Sequence, residues 1–415
     1  MNREGARPLD GVRVLELGQL IAGPFAGQIL AAFGAEVVKI EPPGRGDPLR
    51  RWRVLDETGT SYWWASIARD KKSVTLDLGH AEGRAVARAL IERADVVLEN
   101  FRPGRMEAWG LGPEAFAETN PSLVYTRVSG YGQDGPYAAR PGFASACEAE
   151  AGMRYVNGHP GEAPVRANLS LGDTFAGLHA VIGTLLALLA RGPRAGDDAA
   201  ADHGAGPGRG AGQVVDVSIL ESVFAMLEGV VPEYDGAGIV REPSGTTVTG
   251  IVPTGTYRAR DGRFVVIGGN GDSIFRRLMR AAGRADLADA PALADNAGRV
   301  AREGEIDAAL AAWCATLDAP ALLAALGAAD VPSGPINSVA DIVADPHFLA
   351  RGSVERVTVG DRERLMPAVH PRLSATPART TAPGPGLGAH TEAVLGDWLG
   401  ADAATIARWR ELGCL

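Results

Sequence analysis

The first forty or so residues contain the pattern that most restricts the fold: a β-branched run, an apolar segment at helical spacing, and a second β-branched run. The two runs are GVRVLELG and EVVKIEPP, and GPFAGQILAAFGA lies between them. A strand, a helix and a strand in this order form a parallel βαβ unit. KSVTLDL, GRAVARALIERA and DVVLENF repeat the order, and PSLVYTRVSGYG adds a further strand. Residues 8 to 130 are therefore predicted to form an open, mostly parallel sheet of the α/β class.

Three glycine-containing polar segments follow these predicted strands: EPPGRGD, ENFRPG and SGYGQDG. In open α/β sheets, ligands bind beyond the carboxyl ends of the strands, so these segments are predicted to surround a ligand. The first strand–helix turn, LGQLIAGP, lacks the glycine fingerprint of a nicotinamide oxidoreductase. GPGRGA matches that fingerprint loosely, but it follows a helix and precedes a strand, which is the wrong context.

A chain of 415 residues is long for a single core, which predicts two domains. Residues 192 to 212 are of low complexity and are predicted to form a mobile surface loop. GTYRARDGRFVVIGG predicts a β-hairpin turned at Asp261 and Gly262, and amphipathic helices follow it, so this section is predicted to be α+β. The proline-rich tail from residue 365 is predicted to wrap over a surface rather than to form a core.

The formal charge of −9 argues against nucleic acid or an anionic membrane as the main partner. The three cysteines have no metal-type or redox spacing, which favours a reducing compartment. The N-terminal residues contain no secretory h-region, and the apolar helix predicted at 175 to 190 is shorter than the roughly 20 residues that span a bilayer. We therefore expect a soluble, cytoplasmic protein with no membrane partner.

The segment LSLGDTFAGLHAVIGTLLALLAR places one acid, Asp173, behind a glycine at the front of a long apolar helix. Aspartate just before a helix is a favoured N-cap. A carboxylate at a helix N-terminus is also a stabilised and approachable nucleophile, and the position alone leaves both roles open. The sequence contains no Gly-x-Ser-x-Gly, phosphate loop, His-Glu-x-x-His or histidine pair at metal spacing. Serine hydrolases, nucleotide hydrolases and zinc enzymes are therefore disfavoured.

Four basic residues near strand ends are candidates for anion binding. Lys71 and Lys72 precede a strand, where such a pair either forms a solvated edge or holds a phosphate. Arg102 and Arg105 follow a strand, which is a better place for contact with an anion. Phe101 beside them can stack on a base or belong to the core.

Seven motifs together resemble the class III CoA-transferase family, also called the CaiB/BaiF family. They are PLDGVRVLELGQLIAGPFAGQILAAFGAEVVKIEPPGRGD, KKSVTLDL, DVVLENFRPG, GYGQDGPYAARPGF, LGDTFAG, GQVVDVSILES and GLGAHTEAVL. They occur in the order typical of the family and extend over nearly the whole chain. Their likeness is to members that transfer CoA between succinyl-CoA and dicarboxylates.

The resemblance implies a large Rossmann-like domain that is completed by the C-terminal segment, with a smaller α+β domain inserted. The expected bounds are 1–195 for the first part of the large domain, 196–225 for a flexible loop and linker, 226–340 for the small domain, and 341–415 for the returning segment. The resemblance also implies a homodimer of two subunits interlocked as rings.

The chemistry implied by the resemblance is covalent. Asp173, the aspartate of the Gly-Asp motif, attacks the acyl-CoA thioester, and an aspartyl anhydride and an aspartyl-CoA thioester follow. Coenzyme A is then a substrate, and neither a metal nor a permanently bound cofactor is required. Such intermediates need exclusion of water and close positioning of the reactants.

The likeness to the family also implies two sets of contacts. The residues expected to contact CoA are Lys39, Lys71, Lys72, Asn100, Phe101, Arg102 and Arg105. The residues expected to contact the substrate are Ile21, Ala22, Gly23, Phe143, Arg166, Gly172 and Gly250. Arg166 is a candidate partner for a distal carboxylate, and a structural ion pair is the equally weighted alternative.

Several positions depart from the formyl-CoA transferase pattern. Ile21 stands where those enzymes have glutamine, Pro42 stands where an arginine occurs, and Phe143–Ala144 replaces a Tyr-Asp or Tyr-Glu pair. GTTVTGIVPTG replaces their glycine run. These differences argue against the formyl-CoA:oxalate subgroup.

A 2-methylacyl-CoA racemase is the alternative within the fold, but PGFASA lacks the histidine that α-proton exchange uses. A catalytically silent CoA-binding protein is a second alternative, which the retention of Asp173 disfavours. We predict transfer of CoA from succinyl-CoA to a small dicarboxylate.

Overall fold

The computed structural model describes residues 7–192 and 210–415. The chain divides into two compact units. The larger unit contains the described residues within Met1–Met153, Ala167–Glu228 and Arg351–Leu415, and the smaller unit contains Arg154–Arg166 and Gly229–Ala350. Most of the loop predicted at 192–212 lies outside the described residues.

The N-terminal part of the larger unit alternates strands and helices. In chain order its described elements are β1 (Arg13–Glu16), α1 (Ala22–Ala32), β2 (Glu36–Glu41), α2 (Tyr62–Ile67), β3 (Lys71–Thr75), α3 (Ala81–Ile91), β4 (Val96–Glu99), α4 (Arg105–Ala108), β5 (Val124–Ser129), α5 (Ala144–Glu150), α6 (Leu171–Arg191), β6 (Val214–Ser218) and α7 (Ile219–Phe224). The six strands form one sheet in the order β3-β2-β1-β4-β5-β6, and every neighbouring pair is parallel. This is the Rossmann order, and the predicted parallel α/β sheet is confirmed.

Adjacent strand residues are buried on opposite faces of this sheet, as the two-residue period of a strand requires. Val14 belongs to a core that α1 and α6 cover. Leu15, the next residue, belongs to a core on the other face that contains side chains of α3. The continuous β-branched runs of the sequence therefore reflect a sheet that is buried on both faces.

The smaller unit is α+β, as predicted. Its described elements are α8 (Val230–Ala237), β7 (Thr254–Arg258), β8 (Phe264–Gly268), α9 (Asp272–Ala281), α10 (Ala285–Ala288), α11 (Asn296–Val300), α12 (Glu303–Cys314), α13 (Ala319–Ala328), β9 (Ser333–Pro335), α14 (Val339–Ala344) and α15 (Pro346–Ala350). β7 and β8 form the predicted antiparallel hairpin, with Gly262 at φ +85° in its turn, and β9 pairs with β8. Phe275, Leu278 and Leu310 are buried in its separate core.

The C-terminal segment forms a hairpin of β10 (Val354–Val359) and β11 (Arg362–Pro367), followed by α16 (Thr391–Leu399) and α17 (Ala403–Glu411). The expectation that the tail forms no core is wrong from α16 onward. Leu395 and Trp398 of α16 are buried in the same core as Leu15. The end of the chain therefore covers one face of the parallel sheet.

Helix α6 is longer than the sequence predicts, because it begins at Leu171 and runs for 21 residues. By length and composition alone it can cross a membrane, so the expectation that it is too short is wrong. The core helix of a soluble protein passes the same test. Ala176, Ala180 and Thr184 on one side of α6 are buried in the larger unit.

Candidate active site

The connections from β1 and from β4 run to opposite sides of the sheet, and these two strands are neighbours. Such a switch point opens a crevice at the carboxyl ends of the strands. A cavity of about 410 Å³ lies there, and Asp173 is among its lining residues. The lining residues are Gln19, Leu20, Ile21, Ala22, Asn100, Phe101, Arg102, Pro103, Val128, Ser129, Gly130, Ala138, Arg140, Pro141, Gly142, Phe143, Ala144, Asp173 and Ile219.

Asp173 is the third residue of α6 and not its N-cap. The N-cap position belongs to Ser170, whose side chain makes no capping hydrogen bond. The interpretation of Asp173 as the residue just before the helix is therefore wrong. An acid in the first turn lies at the positive end of the helix dipole, which stabilises its ionised form.

Glu148 of α5 supplies an acceptor to the first turn of α6. Its carboxylate is buried, and its Oε1 accepts the N–H of Gly172 at 3.0 Å. A Cβ at Gly172 would lie 3.1 Å from Cβ of Ala144 and 3.2 Å from Cγ of Glu148. The glycine of the Gly-Asp motif therefore allows α5 to approach the residue before Asp173.

Cys147 lies beside Glu148 in the chain and is completely buried. Burial is the main cause that raises the pKa of its thiol to about 11, and the charges of Glu150 and Asp173 add to it. Its Sγ donates to the carbonyl of Gly130 at 3.3 Å. At neutral pH this group is a thiol, so the cysteine is a weak nucleophile and Asp173 is the better candidate.

The loop between β1 and α1 forms one wall of the cavity. Two side chains hold it, one from the segment after β4 and one from the segment after β2. Asn100 accepts the N–H of Gln19 at 2.7 Å and donates to its carbonyl at 2.8 Å. Both carboxylate oxygens of Asp47 accept the N–H of Leu20 at 3.1 Å, and Leu20 has φ +65°. A Cβ at Gly18 would lie 2.8 Å from Oδ1 of Asn100, so a larger residue there would displace the Asn100 side chain from Gln19.

A buried cluster of charged side chains contacts the backbone of the same loop. Lys39 Nζ lies 2.8 Å from Glu16 Oε1, 2.9 Å from Asp47 Oδ2 and 2.6 Å from the carbonyl of Gly18. Lys71 Nζ lies 2.7 Å from Glu16 Oε2 and 2.6 Å from the carbonyl of Pro24. Lys39 therefore binds the start of the loop and Lys71 binds the first turn of α1, and both pair with the carboxylate of Glu16.

The two lysines differ in their acidity. Burial lowers the pKa of Lys71 to about 8, although Glu16 opposes this change. Burial acts in the same direction on Lys39, but Glu16 and Asp47 outweigh it and hold its pKa above the usual value. Lys71 is therefore the member of the cluster that loses its proton first as the pH rises.

These contacts place Lys39 and Lys71 away from the cavity surface. Both side chains are buried, and their ammonium groups bind protein oxygens, so neither is presented to CoA. Lys72 alternates to the other side of β3, is half exposed and pairs with Glu36. Arg105 is exposed at the start of α4 and stacks on Trp109 at 5.2 Å.

Phe101, Arg102 and Phe143 all line the cavity. Glu99 accepts the N–H of Phe101 at 2.7 Å, and Arg127 donates to the same carboxylate at 2.7 Å, which fixes the loop that carries Arg102. The ring of Phe101 also packs edge-on against Trp109 at 5.2 Å, next to the core on that face of the sheet, and its stacking on a base stays a prediction. Phe143 is 70% exposed.

The remaining predicted substrate contacts are distributed differently. Ile21 and Ala22 line the cavity with Asp173. Gly23 is buried in α1 and Gly172 is buried in α6, so each acts through its backbone. Arg166 and Gly250 belong to the smaller unit, where the Gly250 carbonyl accepts from Asn296 at 2.8 Å.

Sequence reasoning missed Gln19, Arg140 and Glu148. Arg140 lines the cavity and stacks on Tyr137 at 3.5 Å, and the segment AARPGF next to a predicted strand end was a signal for it. Glu148 gave no local signal, because its partner lies 24 positions later in the chain. Within the described ranges, no group of three or more His, Cys, Asp or Glu residues can hold a metal ion.

The site therefore combines one carboxylate at a helix N-terminus, two arginines and a largely apolar lining. Carboxylates are weak nucleophiles in water and become better ones where solvent is excluded. The arginines can bind anionic groups of a substrate. The arrangement suits acyl transfer through a carboxylate.

Known proteins resemble this chain in sequence and in fold. Residues 9–391 match the family described as CoA-transferase family III. A succinyl-CoA–D-citramalate CoA-transferase from Chloroflexus aurantiacus is 44% identical over 95% of this chain and 94% of that protein. A succinyl-CoA–L-malate CoA-transferase alpha subunit from the same species is 41% identical over 97% and 91%. The crystal structure of a CaiB/BaiF family protein from Brucella suis superposes with a TM-score of 0.81 at 31% identity, covering 95% of this chain and 100% of that one.

Proposed function

Because the chain belongs to CoA-transferase family III and is a CoA-transferase, we propose that it moves CoA from succinyl-CoA to a small dicarboxylate. Relatives at 44% and 41% identity are named for succinyl-CoA with D-citramalate and with L-malate. These two acids are therefore the first acceptors to test. The observation that carries the proposal is the position of Asp173 in the cavity at the switch point of the sheet.

Asp173 is the proposed nucleophile. One of its carboxylate oxygens attacks the thioester carbonyl of succinyl-CoA, the carbon–sulfur bond breaks, and the products are an aspartyl–succinyl anhydride and CoA thiolate. The thiolate then attacks the aspartyl carbonyl, which gives an aspartyl-CoA thioester and free succinate. The acceptor carboxylate attacks that thioester to form a second anhydride and thiolate. Attack of the thiolate on the acceptor's acyl carbon releases the new acyl-CoA and restores Asp173.

The lining of the cavity supports this sequence of steps. The anhydrides hydrolyse in water, and side chains such as Ile21, Ala22 and Val128 offer no hydrogen bonds to it.

The proposed CoA contacts are revised by the burial of two lysines. Asn100, Phe101 and Arg102 line the cavity and remain proposed contacts, and Arg105 follows them at the start of α4. Lys72 lies near the amino end of β3, where it pairs with Glu36 at the start of β2, so it is no longer proposed as a contact. Lys39 and Lys71 are instead proposed to hold the loop between β1 and α1.

We also propose that the protein is a homodimer, and that α6 contributes to the contact. The side of α6 that is not buried in the larger unit exposes five large apolar residues: Leu178, Ile182, Leu185, Leu186 and Leu189. Their spacing forms one continuous face, which favours a partner surface over water. A second copy is the proposed occupant because the family resemblance implies two interlocked subunits.

The dimer is tested by analytical ultracentrifugation of the wild type and of a Leu186→Glu, Leu189→Glu double variant. We expect a dimer for the wild type and a shift toward monomer for the variant. A wild-type monomer that sediments with phospholipid vesicles would instead assign the apolar face to a membrane.

Covalent trapping tests the function itself. The protein is incubated with succinyl-CoA without acceptor, treated with hydroxylamine and digested. The mass of the peptide that contains Asp173 is then measured by mass spectrometry. We expect a hydroxamate on this peptide, absent from Asp173→Ala and from protein incubated with free CoA. Transfer to D-citramalate or L-malate is then followed by chromatography of the acyl-CoA products.

The alternatives make different predictions in the same experiment. A racemase forms no adduct but exchanges the α-proton of 2-methylacyl-CoA in deuterated water, and a silent binder does neither. No histidine is among the described residues that line the cavity, which disfavours the racemase.

A further inference from the structure

The first turn of α6 depends on a residue outside the helix. The first N–H groups of any helix have no acceptor within it. Ser170 at the N-cap provides none through its side chain. Glu148, which is only 3% exposed, accepts the N–H of Gly172 at 3.0 Å. A buried carboxylate from another helix therefore completes the turn that carries Asp173.

The position of Glu148 is itself fixed from two directions. Toward α6, the missing side chain of Gly172 leaves space that Ala144 and Glu148 occupy. Toward the sheet, Cys147 donates to the carbonyl of Gly130, which follows β5. α5 therefore joins the end of a core strand to the residue before Asp173.

We propose that Glu148 is a positioning residue for Asp173, which rests on the proposed role of Asp173 as nucleophile. Its carboxylate accepts the N–H of Gly172 and fixes the backbone from which Asp173 projects. Glu148 thereby holds in place the turn that carries Asp173, which lines the cavity.

The inference predicts a specific kinetic pattern. Glu148→Ala should slow adduct formation and lower kcat by about 10- to 100-fold, since small misplacements of a reacting group have effects of this size. The KM for succinyl-CoA should stay within about twofold, because Glu148 is not among the residues lining the cavity. Glu148→Gln keeps an acceptor oxygen at the same place and should recover most of the rate.

The experiment measures adduct formation by rapid quench for the wild type, Glu148→Ala, Glu148→Gln and Glu150→Ala. Glu150 is an exposed acid on the same helix, where it accepts from Tyr131, and its variant is the matched control. Hydrogen exchange at the Gly172 amide is measured in parallel, and it should become faster in Glu148→Ala and remain slow in Glu148→Gln.

Each outcome decides the proposal. Slow chemistry and fast Gly172 exchange in Glu148→Ala, with recovery of both in Glu148→Gln, support it. It is overturned by a Glu148→Ala rate equal to that of the wild type, by a change confined to KM, or by equal loss in both variants, which would assign Glu148 to proton transfer. If the wild type itself forms no adduct and transfers no CoA, the proposed function fails and this role fails with it.

Discussion

The side chain of Asn100 makes two hydrogen bonds with the backbone of Gln19: its Oδ1 accepts the N–H of Gln19 at 2.7 Å, and its Nδ2 donates to the carbonyl of Gln19 at 2.8 Å. Gln19 follows β1 and Asn100 follows β4, so these bonds join the loops on the two sides of the switch point. The side chain of Asn100 thereby links the two halves of the sheet at the switch point.

Asn100→Ala should lower both stability and activity. The variant leaves an N–H and a carbonyl without partners, which costs about 1–3 kcal/mol, and it loosens one wall of the cavity. Urea unfolding and steady-state transfer measure the two effects. Asn120→Ala is the control, because Asn120 also donates to two backbone carbonyls, of Ile91 and Ala94, but does not line the cavity. Equal loss of activity in both variants would contradict a local role for Asn100.

Lys71 should make stability depend on pH in the alkaline range. Burial lowers the pKa of Lys71 to about 8 in the folded protein, below the value near 10.5 expected for an unfolded lysine. Between these values the unfolded chain binds more protons at this position, so the contribution of Lys71 to the unfolding free energy rises with pH.

The unfolding free energy of the wild type should therefore rise by on the order of 1–3 kcal/mol relative to that of Lys71→Met between about pH 8 and 10.5. Urea unfolding of both proteins across this window measures the difference, and Lys72→Met at the neighbouring half-exposed position is the control. If the difference between the two unfolding free energies stays constant or falls as the pH rises, the predicted effect of Lys71 is wrong.

Arg102→Met should weaken the binding of succinyl-CoA. Arg102 is exposed on the cavity lining, so loss of its charge should raise the KM for succinyl-CoA by about three- to tenfold at low salt, and by less as salt screens the interaction. Lys72→Met provides the comparison, since Lys72 pairs with Glu36 on β2. A salt-independent change would assign Arg102 to packing.

Arg166→Met tests the predicted contact with the distal carboxylate of the acceptor. We expect the KM for a dicarboxylate acceptor to rise by about tenfold, with the KM for acyl-CoA unchanged. The same variant is assayed with a monocarboxylate of equal chain length, whose KM should not change. Parallel increases for both acids would favour the structural ion pair.

The sequence predicted the sheet well because a parallel sheet buried on both faces leaves a strong local pattern. GVRVLELG and EVVKIEPP became β1 and β2, which lie side by side as the βαβ unit requires. Core formation by Trp398 was missed because the prolines before it dominate the composition of the tail.

The site was predicted less completely, and the reasons are physical. Lys39 and Lys71 resemble phosphate-binding lysines in sequence, since both lie in or beside strands of the ligand-binding sheet. Their partner Glu16 belongs to β1, and only the folded sheet brings the three together. The N-cap interpretation of Asp173 was wrong because α6 begins two residues before it, at Leu171, and Glu148 from a different helix accepts the N–H of Gly172 there.

Helix α6 is continuous from Asp173, which lines the cavity, to the exposed apolar face that ends at Leu189. Leu189 lies 16 positions after Asp173 on the same helix, about 24 Å away along its axis at 1.5 Å per residue. The same helix thus carries both the proposed nucleophile and the apolar side chains proposed to contact a second copy. We therefore predict that variants selected for assembly or solubility on that outer face will change the turnover rate as well.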